Sequence, residues 1–207
     1  MDLLLASTIV LGSFSASTVT AFLLCYFNKT PFFNPNHNAE QFYKHSKQVA
    51  ISTGTVLLQS IVAGSFFVRT VMDDKPHTIY QNVDNMLRYS IIVELFYYIY
   101  HRLAHTKAYY KAIHSMHHTN IEVYPFDTFY MTRLDTLFLI SALSVPLFFV
   151  KMNYVEHFAV VYIYGTAAYL EHSNLLFAHH KTHHTLLFCN YCIVNPIFDI
   201  LVGTYRS

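Results

Sequence analysis

From Leu3 to Phe27 the chain runs for 25 residues without a charged side chain, and from Gln48 to Val68 for another 21. As helices these stretches reach about 37 Å and about 31 Å, enough to cross a hydrocarbon core of roughly 30 Å. The constraint is severe, because it leaves an all-α integral membrane protein as the expected fold. Composition agrees: 54% of the 207 residues are apolar and only 12% are charged. Asp2 stands where a cleavable signal would carry positive charge, so the first run is expected to be a retained span.

A third apolar helix is expected from near Met86 into His101, with Glu94 inside it. Residues 136–150 and 158–170 are apolar but short, and Pro146 interrupts the first, so they are expected to dip into the bilayer as a helical hairpin and return on the same side. The segments 28–47 and 69–85 read as a polar connector and an acidic-leaning loop. His37 and His45 fall in the first and are expected to be solvated, and His157 sits at a polar corner outside any cluster. The chain is expected to be one folding unit, with a transmembrane hairpin and loop over 1–85 and a catalytic region over 86–207.

Charge sets an expected orientation. Lys29, Lys44, Lys47, Arg102, Lys107, Lys111, Arg133, Lys181 and Arg206 lie on one predicted side, against Arg69, Lys75 and Lys151 on the other. The positive-inside rule places the richer side in the cytosol. A net charge of +1 without a basic patch gives no footing for nucleic acid, and three cysteines make no disulfide framework. Cys189 and Cys192 form a C-x-x-C without the context of a redox or zinc motif.

Histidine carries the chemistry. His101 and His105 are four apart; His114, His117 and His118 form H-x-x-H-H; His180, His183 and His184 repeat that spacing, with His179 before them and His172 further upstream. Positions i, i+3 and i+4 of a helix share a face, so each cluster can aim its imidazoles at one point. These are ten of the fourteen histidines in the chain. A lone histidine is more often a satisfied core residue, but that reading does not extend to three clusters abutting apolar segments, where ionisable groups are costly. One metal takes about four to six ligands, so ten imidazoles suggest two ions, with zinc and iron both suited to imidazole.

The order H-x-x-x-H, H-x-x-H-H, H-x-x-H-H between apolar helices resembles the fatty acid hydroxylase/sterol desaturase superfamily of membrane di-iron oxidases. Glu94 and Tyr98, seven and three residues before His101, and the tail Asn190, Tyr191, Asp199, Gly203 and Thr204 are similar to further elements of that pattern. The resemblance implies two iron ions, O2 as co-substrate, and electrons from NADH or NADPH through cytochrome b5 or a similar carrier. It also implies a sterol or lipid substrate entering from the bilayer, and an endoplasmic reticulum location with the di-iron site facing the cytosol. Glu94 is then expected to orient a ligating imidazole, and Tyr98, Asn190 and Asp199 to support the ligands from behind.

Within the superfamily, Pro125, Phe126, Asp135 and the run Ala178 to His184 are most similar to sterol C5-desaturases, which implies C5(6)-desaturation of a Δ7-sterol. Sterol 4-methyl oxidation and fatty acid or lipid hydroxylation are the alternatives of the same class. A non-redox, zinc-binding membrane protein is the alternative of a different class.

Overall fold

The computed structural model describes residues 2–175 and 179–206; the expectation placed on Ala178 lies outside them. The described residues are helical, with no strand beyond one isolated bridge between Asp73 and Asn153. The long helices are α1 (Asp2–Phe27), α2 (Ala39–Thr70), α3 (Ile79–Ala104), α5 (Arg133–Ser144) and α6 (Tyr154–Glu171). Short helices α4 (Tyr110–Ile113), α7 (His179–Leu186) and α8 (Ile197–Val202) lie among them. The helices α1 and α2 are each long and apolar enough to cross a membrane. Their outward faces expose Leu4, Val19, Leu58 and Val62.

Two expected loops are shorter than the sequence reading placed them. Asn38 caps α2, its side chain accepting from the Gln41 N–H while Gln41 returns the bond to the Asn38 N–H. Thr78 and Gln81 do the same for α3. These reciprocal caps satisfy orphan N–H groups and start each helix seven or more residues earlier than hydropathy indicates.

Small residues let α1 lie close to its neighbours. Ala6, Ser13, Ser17 and Ala21 are buried along one stripe of α1, which packs against α2 and α6. A Cβ on Gly165 of α6 would stand 2.9 Å from Ser17 Oγ, so any larger residue at that crossing has to displace Ser17. Hydroxyl pairs then bridge the helices, Thr18 to Tyr169 and Thr20 to Tyr162, both at 3.0 Å. On the other side, Tyr89 of α3 donates to the Leu143 carbonyl at 2.7 Å and ties α3 to α5. This frame brings the C-terminal ends of α3 and α6 to the histidine-rich segments.

His45 departs from its solvated expectation. It is buried on α2 with Nε2 2.6 Å from Asp127 Oδ1, and its ring stacks on Tyr130 at 4.3 Å. A carboxylate partner and a stacking face repay the burial that hydropathy alone argues against.

Candidate metal centre

His101 lies in the last turn of α3 and His105 caps it, the His105 N–H reaching the His101 carbonyl at 3.1 Å. His114 ends α4, and His117 and His118 follow in a 3-10 turn (His117–Thr119). His172 caps the C-terminus of α6, and His179, His180, His183 and His184 lie on α7. All are buried except His105, which is half-buried.

Nine of the ten gather into two groups. His101, His105, His114, His118 and His183 form one; His117, His172, His180 and His184 form the other. Within each group the ligating nitrogens lie within 4.8 Å of one another. The two H-x-x-H-H clusters are shared crosswise. The i and i+4 members of the second cluster join the first group and its i+3 member joins the second. In the third cluster the assignment is reversed. On α7 the helical period accounts for the split, since i+4 returns to within about 40° of i whereas i+3 falls on the other side of it. His179 belongs to neither group; its Nε2 lies 3.8 Å from Glu171 Oε1.

Backbone carbonyls fix the tautomers. His101 Nδ1 donates to the Tyr191 carbonyl at 2.8 Å, His183 Nδ1 to that of Cys189 at 2.6 Å, and His172 Nδ1 to that of Ala168 at 2.8 Å. Because a carbonyl only accepts, each Nδ1 holds the proton and each Nε2 is left as a bare lone pair. His114 Nδ1 is likewise held by Asp135 at 2.8 Å, and Tyr100 donates to the same carboxylate. The Nε2 atoms of His101 and His114 nevertheless face each other at 2.9 Å, and those of His118 and His183 at 3.1 Å. Between His101 and His114 two lone pairs at that distance repel, and a cation bound there would remove the repulsion. His118 Nδ1 has no partner, which leaves its Nε2 free to donate to His183. The buried Nε2 atoms of His105 and His172 have no hydrogen-bond partner either. Burial, and then the neighbouring imidazoles, hold His114 and His118 far below the ordinary histidine range, so both are neutral and able to ligate. The donor set fits two metal ions.

The residues expected to support the ligands act through the backbone. Glu94 touches no imidazole. Its carboxylate accepts the N–H groups of Ile193, Val194 and Asn195, each at 2.9 Å, and the Tyr164 hydroxyl at 3.2 Å. Three backbone donors converge on it, so any hold it has on an imidazole passes through the 193–195 segment. Asp199 accepts from the N–H groups of Tyr191 at 2.8 Å and Cys192 at 2.7 Å. Asn190, at φ 55°, donates to the His179 and Arg206 carbonyls and accepts the Arg206 N–H. Gly203, at φ 78°, ends α8 and lets Thr204 return to accept the Asn190 N–H at 3.0 Å. Tyr98 packs on Tyr191 and receives a bond from Arg102 at 2.8 Å. Together they clamp the 189–192 segment, whose carbonyls hold His101 and His183. Asp135 is the carboxylate that does touch a clustered imidazole, a role its place in the sequence does not reveal.

A small cavity of about 50 Å³ reaches His114, His117, His172 and His180 between Tyr97, Tyr100 and Glu171. Phe129, Leu139, Ala168 and Ile193 form a wall it shares with a larger apolar cavity of about 120 Å³ between α1, α2, α3, α5 and α6.

The family model for fatty acid hydroxylases matches residues 86–204, more than half of the chain. The chain belongs to the fatty acid hydroxylase family. The matched span of this hydroxylase-family chain holds all ten histidines, from α3 to the Gly203 turn. Membership makes it an oxidoreductase of the membrane hydroxylase/desaturase type, in a family that is typically iron-dependent. No curated protein and no solved structure matches the chain.

Proposed function

We propose that the protein is a membrane di-iron oxidase that uses O2 to oxidise an unactivated C–H bond of a lipid. The observation that supports this most is the pair of histidine groups with their Nε2 lone pairs turned inward. His101, His105, His114, His118 and His183 would hold one ion, and His117, His172, His180 and His184 the other. Iron bound there would supply the redox chemistry with O2 that zinc lacks. The chain's own residues do the rest. Carbonyls 189 and 191 and Asp135 fix the orientation of the imidazoles, and burial keeps them neutral. Phe129, Leu139 and Ile193 shield the approach from water. Electrons would come from NADH or NADPH through cytochrome b5 or a similar carrier on the cytosolic face of the endoplasmic reticulum.

The spacing of Pro125, Phe126 and Asp135 supports C5(6)-desaturation of a Δ7-sterol as the specific reaction. Iron-loaded protein given a Δ7-sterol, NADH, O2 and a cytochrome b5 system should yield a product two hydrogens lighter. A product heavier by one oxygen, or oxidised at the C4 methyl, rejects desaturation and keeps the oxidase. No oxygen uptake across sterols and acyl lipids rejects both.

A further inference from the structure

The larger cavity is a destabilising gap. Protein interiors are packed as densely as organic crystals, and a void of about 120 Å³ forfeits contacts that larger side chains would supply. Small residues make the room: Ser17, Ser60, Ala63, Gly64, Gly165 and Ala168 line it. No Lys, Arg, Asp or Glu is among its described lining residues. Of its hydroxyls, Ser17 donates to the Phe14 carbonyl at 2.9 Å, Tyr89 to that of Leu143 at 2.7 Å and Tyr164 to Glu94 at 3.2 Å. Those donors are engaged within the protein, and a site so lined gives water few partners. Apolar cavities of roughly 150 Å³ stay dry and take up xenon or benzene.

Its position matters as much as its size. Phe129, Leu139, Ala168 and Ile193 line both cavities, so a single layer of residues separates them. Ala168 stands one turn before His172, and its carbonyl holds His172 Nδ1 at 2.8 Å. Beyond this layer the small cavity of about 50 Å³ reaches His114, His117, His172 and His180. Leu139 is only half-buried, and a change of its rotamer would connect the two spaces for a small molecule.

We propose that the larger cavity holds dioxygen on its way from the bilayer to the histidines. This rests on reading the protein as an O2-dependent oxidase, and it gives that co-substrate a place outside the metal centre. Dioxygen is small, uncharged and apolar, so it collects in hydrocarbon and needs no polar partner in the cavity. A charged ligand would meet no counter-charge there, and a sterol or a whole acyl chain is too large for it.

Xenon reports the site without turnover. Metal-free, full-length protein in phosphatidylcholine nanodiscs is equilibrated with xenon, and bound gas is measured by xenon NMR against empty nanodiscs. Wild type should bind about one xenon per chain. Ala63→Leu and Val161→Phe fill the cavity from different helices, and each should at least halve that binding. In iron-loaded protein supplied with a lipid that supports O2 uptake, the same variants should raise the KM for O2 about threefold and leave kcat unchanged. No xenon beyond that of empty nanodiscs, binding undiminished in both variants, or an unchanged KM for O2 in a variant that has lost xenon overturns the proposal. If xenon binds and is displaced as expected but iron-loaded protein consumes no O2 with any lipid, the oxidase reading fails. The role in O2 supply then falls with it, and a site for small apolar molecules stands.

Discussion

Asp135 holds His114 by Nδ1 at 2.8 Å, which turns His114 Nε2 onto His101 Nε2 at 2.9 Å. The carboxylate fixes the ring rotation and tautomer without facing the ion itself. Asp135→Ala should weaken metal binding about 10- to 100-fold, the usual effect of losing such a partner. Metal content after graded chelator challenge measures it, and retention equal to wild type would show that the carboxylate is not needed.

The crosswise sharing of the clusters gives the two groups different reserves. Wild type supplied anaerobically with iron should hold about two ions per chain. His117→Ala leaves three histidines in the second group, and its occupancy should fall to about one ion per chain. His183→Ala leaves four in the first group and should lose less. Equal loss in both variants, or none, argues against the division.

Glu94 should matter to the fold before it matters to chemistry. Glu94→Gln keeps one accepting oxygen for three backbone donors and turns an NH2 towards N–H groups. Leaving buried donors unmet costs about 1–3 kcal/mol. Thermal unfolding of the purified protein should show a lower midpoint even without metal. A midpoint unchanged in metal-free protein would mean that the 193–195 segment does not depend on this carboxylate.

At the start of α3 and α6, His77 Nδ1 lies 2.8 Å from Glu156 and its Nε2 lies 3.6 Å from Asp73. Glu156, and after it Asp73, raises the His77 pKa above its ordinary 6.5, although partial desolvation opposes this. The same corner holds Lys151, 3.7 Å from Asp73, and Asn85, which donates to Glu156. A pKa raised on folding contributes stability that is complete below 6.5 and fades as pH climbs through the folded value. The midpoint gap between wild type and His77→Phe should thus be widest below pH 6.5 and narrow above it. A gap that widens with rising pH contradicts this assignment.

The charge bias predicts the side on which the histidines lie. Cysteines introduced at Ser46 and Thr106 should both react with a membrane-impermeant thiol reagent from the cytosol, and one at Asp74 should not. Opposite labelling of Ser46 and Thr106 would sink this orientation.

The helices and histidine spacings were legible because each is a property of one continuous stretch. The caps at Asn38–Gln41 and Thr78–Gln81 were legible too, but the hydropathy of 28–47 and 69–85 masked them. What spacing along one helix does not reveal is which distant backbone arrives beside it. Glu94 meets N–H groups about a hundred residues away, and only the folded chain shows that these, rather than an imidazole, are its partners. His45 and His157 were set aside for sitting outside the clusters. Asp127 and Tyr130 cover the first, and the second lies among residues that five helices bring together around a cavity.

The crosswise division of the two H-x-x-H-H clusters also bears on how the centre assembles. An ion in either group would cross-link the 114–118 turn to α7, because both segments contribute to both groups. The first ion to arrive therefore orders much of the backbone that the second needs, and the second binds with less conformational entropy left to lose. Metal titration of the wild type should then fill both groups together, over a narrow range of free metal and with little half-filled centre on the way.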